Sequence, residues 1–253
     1  MSGYASLSAV YDRLIGMDYG ERAEYLLSLF SLHRAPCGTL LDLACGTGSL
    51  TLELIRRGCD VIGVDGSPEM LALAAEKAAA AGESPLLLCQ DMRELDLYGT
   101  VEGAVCTLDG LNHLRRKEEI GEALHRLSLF IQPGGLFIFD VNTPYKHRQV
   151  LGDNAFVYEG EDFLCAWRNR LNARTSEVHM WLDIFFEEED GRYQRLEEEI
   201  VERAYSLATW RDLLKKADFT PLEVYGDMTA AAPGPEEQRW VIVARNDTKI
   251  YER

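Results

Sequence analysis

Leu40-Leu41-Asp42-Leu43-Ala44-Cys45-Gly46-Thr47-Gly48-Ser49-Leu50, "LLDLACGTGSL", decides the fold. An apolar run of strand length carries one acid, Asp42, and a Gly-Thr-Gly turn leads straight into a helix-like run. Strand, glycine turn and helix in that order are the context that a nucleotide-binding fingerprint requires, although G-x-G alone does not make one. Asp42 argues against a pyrophosphate in that turn, because two negative charges would meet there. It suits a ligand with an ammonium or sulfonium group instead. The alternative is that Asp42 only ties down the loop. The third position of a dinucleotide fingerprint, which packs the helix closely, holds Thr51 rather than glycine.

The β-α alternation continues outward. "SLTLELIRRG" reads as a helix stopped by Gly58, and "DVIGVD" as the second strand. "SPEMLALAAEKAAAAG" is a helix with Ser67 as N-cap, Pro68 in its first turn and Gly82 as its stop. "PLLLCQD", "GAVCTLD" and "LFIFDV" supply three more strands, with a helical run at "KEEIGEALHRLSLFI" that "PGG" is expected to end. Continuous apolar strands alternating with helices predict a parallel sheet covered on both faces. Ligands of such sheets bind at the carboxyl ends of the strands, where Asp65, Asp91, Asp109 and Asp140 fall.

The flanks read differently. Tyr4 to Leu32 shows helical spacing broken between Gly16 and Gly20. From Tyr145 to about Tyr205, aromatic and β-branched residues predict antiparallel strands with a hairpin near Asp190-Gly191. The acidic run Glu187 to Asp190 reads as its solvated tip, with a site for a basic partner as the alternative. A helix, "SLATWRDLLKKADF", and two strands, "PLEVYGD" and "RWVIVAR", close the chain. The expected organisation is a helical cap over 1–34, an α/β domain over 35–144 and 205–253, and an antiparallel β insertion over 145–204 forming a substrate lid. The fold class is α/β, a Rossmann-like doubly wound sheet of seven mostly parallel strands.

Composition narrows the function. At a net charge of −16 over 253 residues, no basic face for nucleic acid or an anionic membrane is visible. No apolar run approaches the length of a membrane span. The six cysteines form no C-x-x-C pair and sit mostly in apolar runs, which fits a reducing, cytoplasmic setting. No metal-binding constellation is visible.

Together, "LLDLACGTG", "VIGVDGSPEML", "CQDMREL", "VCTLDGLNHL" and "LSLFIQPGGLFIFDVN" resemble the class I S-adenosylmethionine-dependent methyltransferases, in family order and spacing. The resemblance covers Ala35 to Thr143 and resumes from Tyr205 to Arg245, although Ala217-Asp218-Phe219 replaces the commoner Ala-Gly-Phe. It implies S-adenosylmethionine as cofactor. Asp42, Ala44 and Gly46 would line its methionine part, beside Gly48 in the same loop. Asp65 would hold the ribose hydroxyls, with Gly66 and Met70 near the nucleoside. Asp91 and Met92 would meet the adenine, and Leu108 and Asp109 would lie beneath the sulfonium.

Methyl transfer is an in-line displacement with a neutral thioether leaving group, so alignment and water exclusion dominate. A base is needed only for an acceptor that arrives protonated. His113 and Tyr11 are the candidates for that role. Asn112, His147, Trp167 and Trp181 are candidates for acceptor contact. Tyr4, Tyr11 and Tyr19 form either an aromatic cover or ordinary helix packing. The expected acceptor is a small molecule, with nitrogen favoured over oxygen. The competing readings are an NAD-dependent oxidoreductase and a non-catalytic binding protein on the same fold.

Overall fold

A computed structural model of the chain describes residues 11–160, 162–188 and 190–248. The expected helical residues Tyr4, Leu7 and Val10 lie outside them. A short helix α1 (Tyr11–Ile15) and a longer α2 (Tyr19–Leu32) are separated by the expected break, and Asp18 caps α2 by accepting from the Glu21 N–H at 3.0 Å.

The main sheet comprises β1 (Thr39–Leu43), β2 (Asp60–Asp65), β3 (Leu86–Cys89), β4 (Val101–Cys106), β5 (Ile131–Asn142), β10 (Phe219–Gly226) and β11 (Arg239–Asn246). Their order is β10-β11-β5-β4-β1-β2-β3. β1 to β5 run parallel, while β11 is antiparallel to both β5 and β10. The order reverses between β1 and β4, and that switch point opens the cleft at the strand ends.

Helices α3 (Ser49–Arg56), α4 (Pro68–Ala80), α5 (Lys117–Ser128) and α6 (Leu207–Lys216) complete the layers. Alternate residues of each central strand supply opposite cores. Leu41, Phe137, Phe139 and Ile242 pack with α5 and α6, whereas Leu40, Leu136, Ile138 and Val241 pack with α2 and α3. Full burial of such side chains stabilises by roughly 1.5–3 kcal/mol each.

"PGG" does not end α5, which stops at Ser128. Pro133, Gly134 and Gly135 lie within β5, where the pairing with β4 jumps from Val101–Ile131 to Gly103–Leu136. A bulge at the solvent-exposed start of the strand tolerates proline and glycine that its interior would not.

A second sheet lies between β5 and α6 in sequence. A π-helical turn (Lys146–Leu151) leads into β6 (Ala155–Glu159), β7 (Phe163–Asn172), β8 (Glu177–Glu187) and β9 (Tyr193–Arg203), paired antiparallel in that order. Glu187 pairs with Tyr193, so the hairpin turns in the predicted place. One face carries its own core, including Cys165, Val178, Met180, Leu182 and Ile184. No described helix is long and apolar enough to cross a membrane.

Candidate active site

The glycine turn after β1 is held by the acid that ends β2. Asp65 accepts from the Gly46 N–H through Oδ2 and from the Ser67 N–H through Oδ1, both at 2.8 Å. Burial raises its pKa despite these bonds. The two glycines serve different purposes. Gly46, at φ +54°, has nothing within 4 Å of where a Cβ would lie, so its edge of the loop is open. Gly48, at φ +73°, would place a Cβ 2.8 Å from the Ala74 Cβ, so it lets α3 and α4 approach. Ala44, at φ +59°, also adopts the left-handed conformation that non-glycine residues rarely take.

Asp42 corrects the sequence reading. It is 1% exposed and accepts the Thr51 hydroxyl at 2.6 Å, so it braces α3 beneath the loop and does not open onto the cleft. Burial, offset in part by Thr51 and reinforced by Asp65, pushes its carboxyl up to about 7. Such a group carries only part of a charge at neutral pH, so repulsion of a pyrophosphate is a weaker discriminator than the sequence suggests.

At the neighbouring strand end, Leu108 (φ +55°) and Asp109 (φ +57°) form a second left-handed pair. Asp140 of β5 fixes them by accepting the Leu108 N–H at 3.0 Å and the Asp109 N–H at 2.8 Å. Strain held by bonds of this kind is typical of ligand-binding edges. Asp91 turns toward its own strand end, accepting both the backbone N–H and Nε of Arg93 at 2.9 Å. Met92 packs partly buried against the main core. Gly66 is half-buried, and the Met70 side chain is buried in the first turn of α4, where Ser67 caps its N–H.

A cavity of about 920 Å³ runs from Leu108 and Asp109 toward the second sheet. Tyr11 of α1, Asn142, Lys146, Trp167 and Glu202 reach it, as does the segment 234–239 before β11. Burial first, and then the charge of Asp109, push the Tyr11 phenol well above its usual range. Tyr11 is therefore a poor base and a good cover.

Asp109, His113 and Glu202 bring one ligating atom each within 4.8 Å of one another. The sequence reading missed this grouping, whose spacing is also compatible with a metal ion. Arg239 already supplies a cation there, with Nη2 2.7 Å from Asp109 Oδ1 and Nη1 bonded to Asp140. Glu202 accepts from Asn142 Nδ2 at 2.8 Å, with His147 Nε2 at 3.4 Å and His113 Nε2 at 4.0 Å. Burial opposes its ionisation, but the two histidines outweigh that and hold its pKa below the usual carboxylate range.

Three acceptor candidates need correction. Trp181 sits on the opposite face of the second sheet from Met180 and Leu182, stacked on His179 at 5.9 Å and paired across the strands with Arg168. Asn112 is fully buried and holds the end of β5, accepting the Asn142 N–H at 2.9 Å. His147 is also fully buried, its Nδ1 3.0 Å from the Ser176 carbonyl. Glu202, Arg239 and Asp12 were not singled out from the sequence. In "EEEIVER" the signal for Glu202 was its period-two alignment with Ile200, which marks the inner face of the strand.

The family model described as a methyltransferase domain matches residues 40–135. YqeM of Bacillus subtilis, provisionally named a methyltransferase, is 30% identical over 250 residues, covering 98% of each chain. A glycine/sarcosine N-methyltransferase of Halorhodospira halochloris is 24% identical over 240 residues, covering 94% of this chain and 86% of that one. Among solved structures, an S-adenosylmethionine-dependent methyltransferase from Clostridium acetobutylicum superposes with a TM-score of 0.87 at 29% identity, covering 96% of this chain and 98% of that one.

Proposed function

This chain belongs to the class I S-adenosylmethionine-dependent methyltransferases, and from that premise we propose that it methylates a nitrogen of a small molecule held in the cavity beside Asp109. The observation that carries the reading is the 920 Å³ cavity, which begins at the strained Leu108-Asp109 edge and extends under the second sheet. The N-methyltransferase name of the Halorhodospira relative supports nitrogen as the acceptor atom. The NAD-dependent alternative falls with the family membership.

The strand-end edge fits the cofactor. The open side of Gly46 leaves room for a ligand at the loop, and the backbone bonds that fix Asp65 leave its outward lone pairs for a ribose diol. Ala44 and Gly46 would then lie along the methionine part, Leu108 and Asp109 beneath the sulfonium, and Asp91, Met92, Gly66 and Met70 around the nucleoside. The bound cofactor supplies an electrophilic methyl on a positively charged sulfur. The chain aligns the acceptor and excludes water. α1, with Tyr11, and the second sheet, with Trp167, cover the cavity as a lid. The six unpaired cysteines support a reducing, cytoplasmic setting.

The test has two parts. Calorimetry measures S-adenosylhomocysteine binding to the wild type and to Asp65→Ala, with NAD as control. Asp65→Ala should lose roughly 1.5–3 kcal/mol of binding, as expected for a charged hydrogen-bonding partner. Labelled cofactor with paired amine and alcohol acceptors should then show methyl transfer to amines. Turnover of alcohols alone would reject nitrogen as the acceptor atom. Undiminished binding by Asp65→Ala would reject the assignment of the ribose site.

A further inference from the structure

The relatives' names leave the acceptor open, but the cavity has two chemically distinct ends. One is a floor of buried charge. Asp109, Asp140, Asp227 and Glu202 meet three cations there, Arg22, Lys146 and Arg239. Arg22 forms an ion pair with Asp227 at 2.8 Å and lies 3.5 Å from Asp140. Arg239 is shared among Asp109, Asp140 and Asp227. Lys146 Nζ donates to Asn142 Oδ1 at 2.8 Å, and Asn142 in turn donates to Glu202. The four acids outnumber the three cations, and Glu202 lies against the Asn142 amide, the His113 and His147 imidazoles and Asp109. The rim acids Glu236 and Glu237 add to it.

The other end is the inner face of the second sheet. Phe156, Tyr158, Trp167, Met180, Leu182 and Ile200 line it. The three aromatic rings pack together, with Phe156 and Trp167 edge-on at 5.9 Å and Tyr158 at 6.0 Å from Trp167. An apolar wall of this kind gains by burying an apolar body and gives nothing to glycine or a bare sugar.

We propose that the acceptor is an amine with an apolar, preferably aromatic, body, and that Glu202 is the residue that receives its nitrogen while the body lies against Trp167 and its neighbours. The inference rests on the methyltransferase reading above and deepens it to a substrate class. A carboxylate at Glu202 attracts an ammonium, repels an anionic acceptor and is too weak a base to activate an alcohol. Lys146 and Arg239, which line the same cavity, favour the uncharged amine at the moment of reaction. The acceptor nitrogen gives up a proton to solvent. Its lone pair then forms the N–C bond as the C–S bond breaks and that electron pair returns to sulfur. Glu202 is ionised before and after, so it positions the nitrogen and is not consumed.

The experiment uses the full chain saturated with S-adenosylhomocysteine, titrated calorimetrically with 2-phenylethylamine, 2-phenylethanol and glycine. The amine should bind at least tenfold tighter than the alcohol, and glycine should show no comparable binding. Glu202→Gln should bring amine binding down to the level of the alcohol. Alcohol binding and S-adenosylhomocysteine affinity should stay within twofold, which a merely structural role for Glu202 would not preserve. Equal binding of amine and alcohol by the wild type would overturn the inference without any variant. So would tighter binding of glycine than of the arylalkylamine, or Glu202→Gln retaining amine affinity within twofold. Competition of Mn²⁺ or Zn²⁺ with the amine at micromolar concentration would assign the floor to a metal and overturn it too. Failure to bind S-adenosylhomocysteine would strike the underlying reading, whereas failure of the amine arm with that ligand bound strikes only this inference.

Discussion

Gly46 and Gly48 stand two residues apart in one loop, yet their neighbours give them separable roles. Gly46→Ala adds a methyl in open space at a left-handed φ of +54°. The backbone cost is roughly 1–2 kcal/mol, and the methyl occupies the side assigned to the cofactor. Its main effect should be weaker S-adenosylhomocysteine binding. Gly48→Ala forces a Cβ to 2.8 Å from that of Ala74, so α3 and α4 must part. It should lower the unfolding free energy by about 1–3 kcal/mol from overpacking, with the left-handed strain added. Denaturant titration and calorimetry on both variants check the contrast, and equal effects on stability would contradict it. The difference was invisible in "GTG", because Ala74 is far along the chain. Asp65 was legible as the acid that closes β2, but its two backbone bonds, from the Gly46 and Ser67 N–H groups, were not. Asp42 was legible as buried but misread in role, because the Thr51 hydroxyl that occupies it appears only once α3 folds back over β1.

Two elements reach the site from outside the main sheet. α1 is latched by Asp12, which accepts from Thr47 Oγ1 at 2.8 Å, Tyr19 Oη at 3.0 Å and Ser49 Oγ at 3.1 Å and is bonded to Lys77. Arg13 pairs with Asp162 and lies over the Phe163 ring at 5.0 Å, so the same short helix joins the glycine loop to the second sheet. Burial opposes ionisation of Asp12, but Lys77 and the hydroxyls outweigh it and its pKa lies below the ordinary value. A depressed folded-state pKa gives stability that is present above the unfolded value and is lost as pH falls through the folded one. Asp12→Asn should therefore cost about 1 kcal/mol at neutral pH and flatten the acid limb of the stability curve below about pH 4. Thermal melts from pH 7 to pH 3 measure it, and an unchanged acid limb would refute the latch. In the second sheet, Trp181→Ala should leave acceptor KM unchanged within about twofold, because its ring is on the outer face. The sequence named both tryptophans together. Strand alternation around Met180 and Leu182 separates them only after the inner face is known.

At the scale of the whole molecule, the parallel sheet was readable because β1, β4 and β5 are buried on both faces and therefore nearly continuous in apolar residues. The start of β5 was not, because the bulge that admits Pro133 depends on its pairing with β4. The charge floor was the least legible part. It joins Arg22 of α2, Asp109 after β4, Asp140 of β5, Glu202 of β9, Asp227 after β10 and Arg239 of β11, and only the fold brings them together. The resulting division assigns the cofactor to the strand ends of the main sheet and the acceptor to the wall of the second. The most direct measurement of that division is made on Trp167→Ala, whose ring lies on the cavity wall. S-adenosylhomocysteine affinity and kcat/KM for an arylalkylamine are determined on the same folded sample. The predicted result is cofactor-product affinity within twofold of wild type and kcat/KM reduced by at least tenfold. A parallel loss of both would contradict the division and place the second sheet in the cofactor site.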